Sequence, residues 1–167
     1  MNGKKIFVDM TTSDPQESAK LGKRILEAGA HYMDSPMTGG QLGALNRQLV
    51  LMASGDPAVF ERVRGILEPL AKKLFYLGAD IGLGHFMKLI HNQLSGAVFM
   101  ATCEAVFLGK AFGMDPRVMI DVFNEGNARS NATEPKFPRF VLGGTPAGCS
   151  VGILDKDMAL VLRKAGE

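Results

Sequence analysis

The 167-residue sequence contains no tryptophan, two tyrosines and only two cysteines. Cys103 and Cys149 are far apart and form no CxxC pair, which argues against a disulfide-stapled fold and favours a reduced, cytoplasmic protein. The three histidines show no zinc-ligand spacing to the cysteines, so the sequence does not support a structural zinc site and we expect no metal.

An excess of charge of one sign is also lacking. Lys and Arg number 19 against 17 Asp and Glu, and no basic run exceeds two residues, so the electrostatic footprint of a nucleic-acid or anionic-membrane binder is missing. The first residues do not have the apolar core of a signal peptide, and no run of about 18 apolar residues free of charge occurs. We therefore expect a soluble protein.

Short β-prone runs alternate with amphipathic helical patterns through the first half of the chain, and the second half is helical in pattern throughout. This order predicts an α/β layer with some parallel pairing, followed by helices. We expect Thr11 to Pro15 to cap the first helix. Strands are predicted at residues 5–10, 31–34, 49–53 and 73–77, and the later helices at 85–112, 115–125, 135–142 and from 151 onward.

Lys88 is an isolated cation near the start of the longest apolar helix. From Phe86 to Phe112 only Glu104 and Lys110 also carry a formal charge, and Asn92 follows Lys88 by one helical turn on the same face. One interpretation is that Lys88 extends its ammonium group to water. The other is that a half-buried lysine is kept for function.

A glycine-rich segment follows the second predicted strand, at a place where ligands bind in α/β sheets. There, Gly39 and Gly40 let backbone N–H groups approach an anion, and Thr38 adds a hydroxyl donor. A plain glycine-rich turn is the simpler interpretation.

Two further features are weak when taken alone. Thr12 lies between a strand and a helix, where its hydroxyl faces a binding crevice or acts as a helix cap. Lys156 and Asp157 stand near the start of the last helix, where a solvated ion pair is the ordinary interpretation.

Four motifs in order give these features a common meaning. D-S-P-M-T-G-G-x-x-G-A, M-A-S-G-D, G-x-G-x-x-x-K-L-x-x-N and L-D-K-D-M resemble the β-hydroxyacid dehydrogenase family, which includes 3-hydroxyisobutyrate dehydrogenase and tartronate semialdehyde reductase. The resemblance covers essentially the whole chain. It implies a partial Rossmann-like α/β layer over residues 1–80, the C-terminal half of an NAD(P)-binding domain. Residues 81–167 would form an all-α domain like the C-terminal domain of 6-phosphogluconate dehydrogenase, truncated at its end.

The resemblance also assigns roles. Lys88 corresponds to the catalytic lysine, a general acid when an aldehyde is reduced and a general base when an alcohol is oxidised. Partial burial on an apolar helix is expected to lower a lysine pKa toward neutrality, which suits both roles. The other implied contacts are with the small, carboxylate-bearing substrate, through Thr38, Gly39, Gly40 and Asn92, and with NAD or NADP, through Thr12 and Lys156.

The chain departs from the family pattern in one respect. The family opens with a G-x-G-x-x-G-type turn that seats the cofactor pyrophosphate at a helix N-terminus, and this sequence has no such turn. We therefore expect a fragment of a larger fold with poor dinucleotide affinity. The alternative to an oxidoreductase is a non-catalytic fragment that keeps the helical association module. Either form is expected to be a homodimer or higher homo-oligomer.

Overall fold

The computed structural model describes residues 5–145 and 150–166. The strands are β1 (Ile6–Asp9), β2 (His31–Asp34), β3 (Met37–Thr38), β4 (Leu49–Ala53) and β5 (Ala71–Tyr76). The α-helices are α1 (Pro15–Glu27), α2 (Gly40–Leu45), α3 (Pro57–Leu67), α4 (Leu83–Ala111), α5 (Pro116–Glu125) and α6 (Val151–Ala165). A 3-10 turn (Glu68–Leu70) follows α3, and a π-helix (Ala132–Leu142) follows α5.

The strands form two small sheets. β1 and β2 pair in parallel, with Asp9 opposite Asp34 at their ends. In the other sheet β4 is central, antiparallel to β3 and parallel to β5. An isolated bridge between Asp34 and Ser54 joins the end of β2 to the residue after β4. Polar side chains therefore end β1 and β2, at Asp9 and Asp34, and Ser54 directly follows β4.

Three helices start with the same dipeptide. Asp14, Asp56 and Asp115 each precede a proline at the first helical position, and each carboxylate accepts hydrogen bonds from backbone amides of the first turn. An Asp cap satisfies amides that have no partner within the helix, and proline lacks the N–H that would need one. Local sequence therefore determines where α1, α3 and α5 begin. α4 has no Asp-Pro pair at its start.

The chain divides into two compact units. The first contains the described residues up to Ile90 together with those from Asp157, and the second is His91–Lys156. The residues of α4 are shared between the two. Apolar side chains fill each core: Met33, Leu51, Ala53, Val59, Phe60 and Val63 in the first unit, and Val106, Met119, Ile120 and Phe137 in the second.

The element order agrees with the sequence prediction, and the fold class is confirmed. Several local predictions are wrong. The glycine-rich segment after β2 is not a loop, because it contains β3 and α2. The cap of α1 is Asp14 rather than Thr12, since the Asp14 carboxylate accepts from Gln16 N at 2.8 Å. The short helix predicted at residues 135–142 is a π-helix that starts earlier, at Ala132, and contains two prolines. Cys149 lies outside the described residues, and the predicted boundary near residue 80 remains a prediction.

Among residues 5–145 and 150–166, α4 is the helix long and apolar enough to cross a membrane by length and composition. This is weak evidence, because long helices of soluble proteins pass the same test. Only 17% of its apolar window is buried within the chain. Most of the apolar surface of α4 is therefore exposed in the single chain.

Candidate active site

The first turn of α4 is held by a carboxylate from the sheet. Asp34 is fully buried at the end of β2, and its Oδ1 accepts hydrogen bonds from Ser54 Oγ at 2.6 Å and from Gly82 N at 2.8 Å. Its Oδ2 accepts from His85 N at 2.9 Å. Three donors converge on one carboxylate, an arrangement that suits the ionised form, which only accepts hydrogen bonds. Asp34 therefore supplies the cap that the sequence immediately before α4 lacks.

Gly84 brings this turn into direct contact with the sheet. Its N–H donates to Ser54 Oγ at 3.0 Å. A Cβ at this position would lie under 3.0 Å from both Met52 O and Asp34 Oδ2. Only glycine permits this approach without moving the helix or the strand end. The glycine in the G-x-G motif therefore sets the distance between α4 and the end of β4.

Lys88 follows Gly84 by one helical turn and is half-buried. Asn92 follows by a further turn and is also half-buried, with its Oδ1 3.2 Å from His91 Nδ1. The predicted spacing along one helix is confirmed. Lys88 belongs to the first compact unit and Asn92 to the second. Their action on a common substrate stays a prediction.

A second polar group lies at the end of β1. Asp9 accepts hydrogen bonds from Thr11 N at 2.9 Å, Thr11 Oγ1 at 2.7 Å and Tyr32 Oη at 2.9 Å. The fully buried ring of His85 places Nε2 3.5 Å from Asp9 Oδ2. Burial raises the pKa of Asp9, but the hydrogen bonds from Thr11 and Tyr32 and the charge of His85 outweigh it and lower the pKa overall. Burial, with the charge of Asp9, raises the pKa of Tyr32.

This lowered pKa makes the stability of the first unit depend on pH. The ionised Asp9 stabilises the fold above its ordinary pKa of 3.8, and that contribution disappears as the pH falls through the folded-state value. We expect Asp9→Asn to reduce the free energy of unfolding by about 1 kcal/mol at neutral pH. The difference from the wild type should vanish in acid. Denaturant titrations across the pH range measure this, with the exposed Asp121→Asn as control, and a difference that did not vary with pH would contradict it.

The predicted carboxylate-binding residues lie where β3 meets α2. Thr38 ends β3 and is half-buried, while Gly39 and Gly40 are exposed and adopt φ of +125° and +62°. These values favour glycine. Gly39 is the cap residue of α2 and, being glycine, supplies no side-chain oxygen to the amides of that turn. Binding of a substrate carboxylate by Thr38, Gly39 and Gly40 stays a prediction.

The two predicted cofactor contacts have different surroundings. Thr12 is half-buried in the connection from β1 to α1. Lys156 is exposed on α6 and belongs to the second unit, whereas its neighbour Asp157 is fully buried, so the interpretation of a solvated pair is wrong. Thr12 and Lys156 as dinucleotide contacts stay predictions.

The start of α1 bears on how well the chain fits a dinucleotide. In a Rossmann layer the pyrophosphate sits against backbone amides at a helix N-terminus. In this chain the Asp14 carboxylate already accepts from Gln16 N and Glu17 N, and Lys164 Nζ lies 3.8 Å from it. A pyrophosphate placed there would meet a like charge. The start of α1 therefore does not provide a seat for the pyrophosphate of NAD or NADP.

Sequence reasoning missed four of the polar residues that build this region: Asp9, Asp34, Ser54 and His85. Three of them stand inside the motifs that carry the family resemblance, but the motifs alone gave them no role. Asp34 gave no signal in the sequence, because its role depends on β2 ending beside the start of α4, which neither segment shows by itself.

Two family models divide the chain between them. Residues 1–78 match the NAD binding domain of 6-phosphogluconate dehydrogenase, and residues 82–167 match the NAD-binding of NADP-dependent 3-hydroxyisobutyrate dehydrogenase. The chain is 32% identical over 163 residues to 2-(hydroxymethyl)glutarate dehydrogenase of Eubacterium barkeri, covering 97% of this chain and 54% of that protein. The chain thus spans about half the length of this curated relative.

Solved structures agree. 3-Hydroxyisobutyrate dehydrogenase of Salmonella typhimurium superposes with a TM-score of 0.88 at 26% identity, covering 99% of this chain and 58% of that one. Psf3 in complex with NADP+ and 2-OPP gives a TM-score of 0.88 at 27% identity, covering 98% and 57%. Both family models describe NAD binding and the Psf3 structure contains NADP+, so the predicted cofactor class, NAD or NADP, is confirmed. With two family models matched end to end and the same fold in these structures, the chain belongs to the β-hydroxyacid dehydrogenase family.

Proposed function

We propose that the chain is part of an NAD(P)-dependent oxidoreductase of small β-hydroxy acids or their semialdehydes, with Lys88 as general acid and base. The observation that carries the proposal is the placement of Lys88. It is half-buried one turn beyond Gly84, where a buried carboxylate fixes α4 against the ends of β2 and β4. A lysine held in this way is a good candidate for proton transfer. The family match does not favour the alternative of a non-catalytic fragment.

The proposed chemistry is a paired transfer of hydride and proton. NADH or NADPH, when bound, supplies the hydride, and its oxidised form accepts one. In the reductive direction the Lys88 ammonium donates its proton to the carbonyl oxygen as the aldehyde carbon gains a hydride, so the product is an alcohol. In the oxidative direction the neutral amine of Lys88 removes the hydroxyl proton. Proton transfer by Lys88 therefore prevents negative charge from building up on the substrate oxygen.

The substrate carboxylate is proposed to bind at the start of α2. The Thr38 hydroxyl and the backbone N–H groups near Gly39 and Gly40 are the proposed donors to the anion. The positive φ angles of the two glycines give this backbone a conformation that other residues rarely adopt. Asn92 carries an amide that donates to, or accepts from, a substrate hydroxyl one turn beyond Lys88. These contacts select a small acid with an oxygen close to its carboxylate.

Thr12 and Lys156 are the residues proposed to hold the cofactor. Because the sequence has no G-x-G-x-x-G-type turn to seat the pyrophosphate, we expect cofactor binding by the 167-residue chain to be weak. Cys103 is a free thiol, and the reaction is proposed to occur in the reducing cytoplasm.

Turnover tests the proposal. The purified chain is mixed with NADH or NADPH at about 1 mM, to offset a weak dissociation constant, and with short semialdehydes that do or do not carry a carboxylate. We expect oxidation of the reduced nicotinamide with the carboxylate-bearing aldehydes and much less with the others. Equal rates with both sets would overturn the carboxylate site. No turnover with any aldehyde, despite fluorescence evidence of bound cofactor, would overturn the proposed activity of this chain.

We also propose that the second unit associates with another copy of the chain. Large apolar side chains along α4 and α5 are exposed, and Phe112, just past α4, is 79% exposed. An apolar surface of this kind marks an interface. The exposed members of this surface are Phe107, Leu108, Phe112, Met114, Val118 and Val122.

Light scattering tests this interface. We expect the wild-type chain to be a dimer or higher oligomer, and Phe112→Ser to shift it toward monomer, because a polar group within the apolar surface weakens association. Leu45→Ser is a matched control, since Leu45 is also 79% exposed but lies on α2 in the first unit. A monomeric wild type at high concentration would contradict the expectation, as would equal dissociation by both variants.

A further inference from the structure

The start of α4 differs in construction from the starts of α1, α3 and α5. Each of those three helices takes its cap from the aspartate directly before it. The first turn of α4 instead bonds to side chains far away in sequence: His85 N bonds to Asp34, 51 residues earlier, and Gly84 N bonds to Ser54, 30 residues earlier. The caps of α1, α3 and α5 set where each helix begins. The contacts with Asp34 and Ser54 also fix α4 against the ends of β2 and β4.

The two side chains that make this connection form one unit. Ser54 Oγ donates to Asp34 Oδ1 while it accepts from Gly84 N. The backbones of Asp34 and Ser54 are bonded to each other in both directions, at 2.8 and 3.2 Å. Asp34 and Ser54 are fully buried and Gly84 is buried, so bulk water cannot replace a lost partner. The negative charge also faces the positive end of the α4 dipole.

We propose that Asp34, acting with Ser54, is a positioning residue for Lys88. The proposal rests on the proposed function, in which Lys88 transfers the proton. Lys88 lies one turn beyond Gly84, on the helix segment that this connection fixes. Productive proton transfer needs placement to within about 0.5 Å, and a helix end free to fray or tilt does not provide it. Asp34 touches no reacting group and acts through the first turn of α4.

A purely structural role for Asp34 makes a different prediction. A residue that only adds stability lowers the melting temperature when it is replaced, but leaves the native state unchanged well below melting. A positioning residue changes the native state itself around residues 82–88. The two roles are separated by measurements on the folded, ligand-free chain.

The test compares Asp34→Asn and Ser54→Ala with Ser18→Ala, which removes an equally buried serine hydroxyl from α1. Asp34→Asn keeps the shape but places an amide where an acceptor is needed, and Ser54→Ala is the milder variant if Asp34→Asn fails to fold. Two quantities are measured well below melting. One is amide hydrogen exchange in residues 82–88. The other is the acetylation rate of Lys88 relative to that of the exposed Lys110 in the same molecule, resolved by mass spectrometry at several pH values.

We expect exchange in residues 82–88 to become about tenfold faster in the Asp34 and Ser54 variants, because each loses a buried hydrogen bond. The ratio of Lys88 to Lys110 acetylation should change by about threefold or more, since the surroundings of Lys88 loosen. Ser18→Ala should change neither quantity. Unchanged exchange and acetylation in both Asp34→Asn and Ser54→Ala would overturn the proposal. Faster amide exchange with an unchanged ratio of Lys88 to Lys110 acetylation would also overturn the proposal. In that case Asp34 and Ser54 would hold the backbone of the first turn without affecting the Lys88 side chain.

These measurements need no turnover, so they remain informative if the proposed activity fails. Where the chain does turn over, Ser54→Ala should lower kcat with little change in KM for the cofactor, since it moves the proton donor and not the cofactor contacts. A fall in cofactor affinity alone would contradict positioning. Loss of the proposed function would instead appear as turnover that does not depend on Lys88.

Discussion

Lys88→Ala is expected to reduce kcat by about 100- to 10,000-fold, the range for removal of a general acid or base. Without the ammonium group the carbonyl oxygen gains negative charge as the hydride arrives, and only water remains to neutralise it. Cofactor affinity should be nearly unchanged, because Lys88 is not among the proposed cofactor contacts. Steady-state kinetics with the reduced nicotinamide, together with fluorescence titration of the cofactor, measures both quantities.

Lys110→Ala is the matched control for this variant. Lys110 is near the other end of α4 and is exposed, so the same substitution removes a charge from the same helix without affecting the proposed site. It should retain wild-type kcat. A Lys88→Ala variant with turnover close to that of Lys110→Ala would remove Lys88 from the mechanism.

Gly84→Ala is expected to lower the free energy of unfolding by about 3 kcal/mol. The added methyl would overlap Met52 O, a backbone atom, and Asp34 Oδ2, which belongs to a buried side chain held by hydrogen bonds. Strand β4 and the buried Asp34 cannot yield easily, so α4 must move outward and lengthen the hydrogen bond from Gly84 N to Ser54 Oγ. We also expect turnover to fall, because the displaced turn carries Lys88 with it. Denaturant unfolding measures the first effect and kcat the second.

Gly65→Ala provides the contrast. Gly65 is in the interior of α3, where an added Cβ would meet nothing within 4 Å. Alanine in an open helical position is worth about 0.5–1 kcal/mol over glycine, so this variant should be more stable than the wild type. If Gly84→Ala and Gly65→Ala had the same effect, the close approach of α4 to β4 would not be the constraint described above.

Much of the fold follows from local sequence. The Asp-Pro pairs at Asp14, Asp56 and Asp115 indicate where three helices begin, and β2 and β4 appear as short apolar runs with the predicted limits. The alternation of strand and helix patterns predicted the α/β layer, and the apolar pattern after Gly82 predicted α4. These features depend on neighbours within a few residues, which is the range that sequence patterns report.

The parts that sequence did not reveal depend on distant partners. Thr12 looks like a cap as well placed as Asp14, and only the geometry shows that the Asp14 carboxylate reaches Gln16 N. Asp157 looks solvated beside Lys156, yet the fold buries it completely. The role of Asp34 required knowing that β2 ends beside the start of α4, which no periodicity within either element encodes. The family resemblance gave Lys88 its chemistry, and the tertiary structure gave Asp34 its connection to α4.

The long-range cap of α4 also bears on the order in which the protein folds. Gly82 N and His85 N find their acceptor 48 and 51 residues earlier in the chain. A contact of such high sequence separation carries a loop-closure cost that is met only when β2 and β4 have already come together. α1, α3 and α5, which cap themselves, can form early. We therefore expect the end of α4 that carries Lys88 to form in the last steps of assembly of the first unit, and variants at Asp34 to accelerate unfolding more than they slow folding.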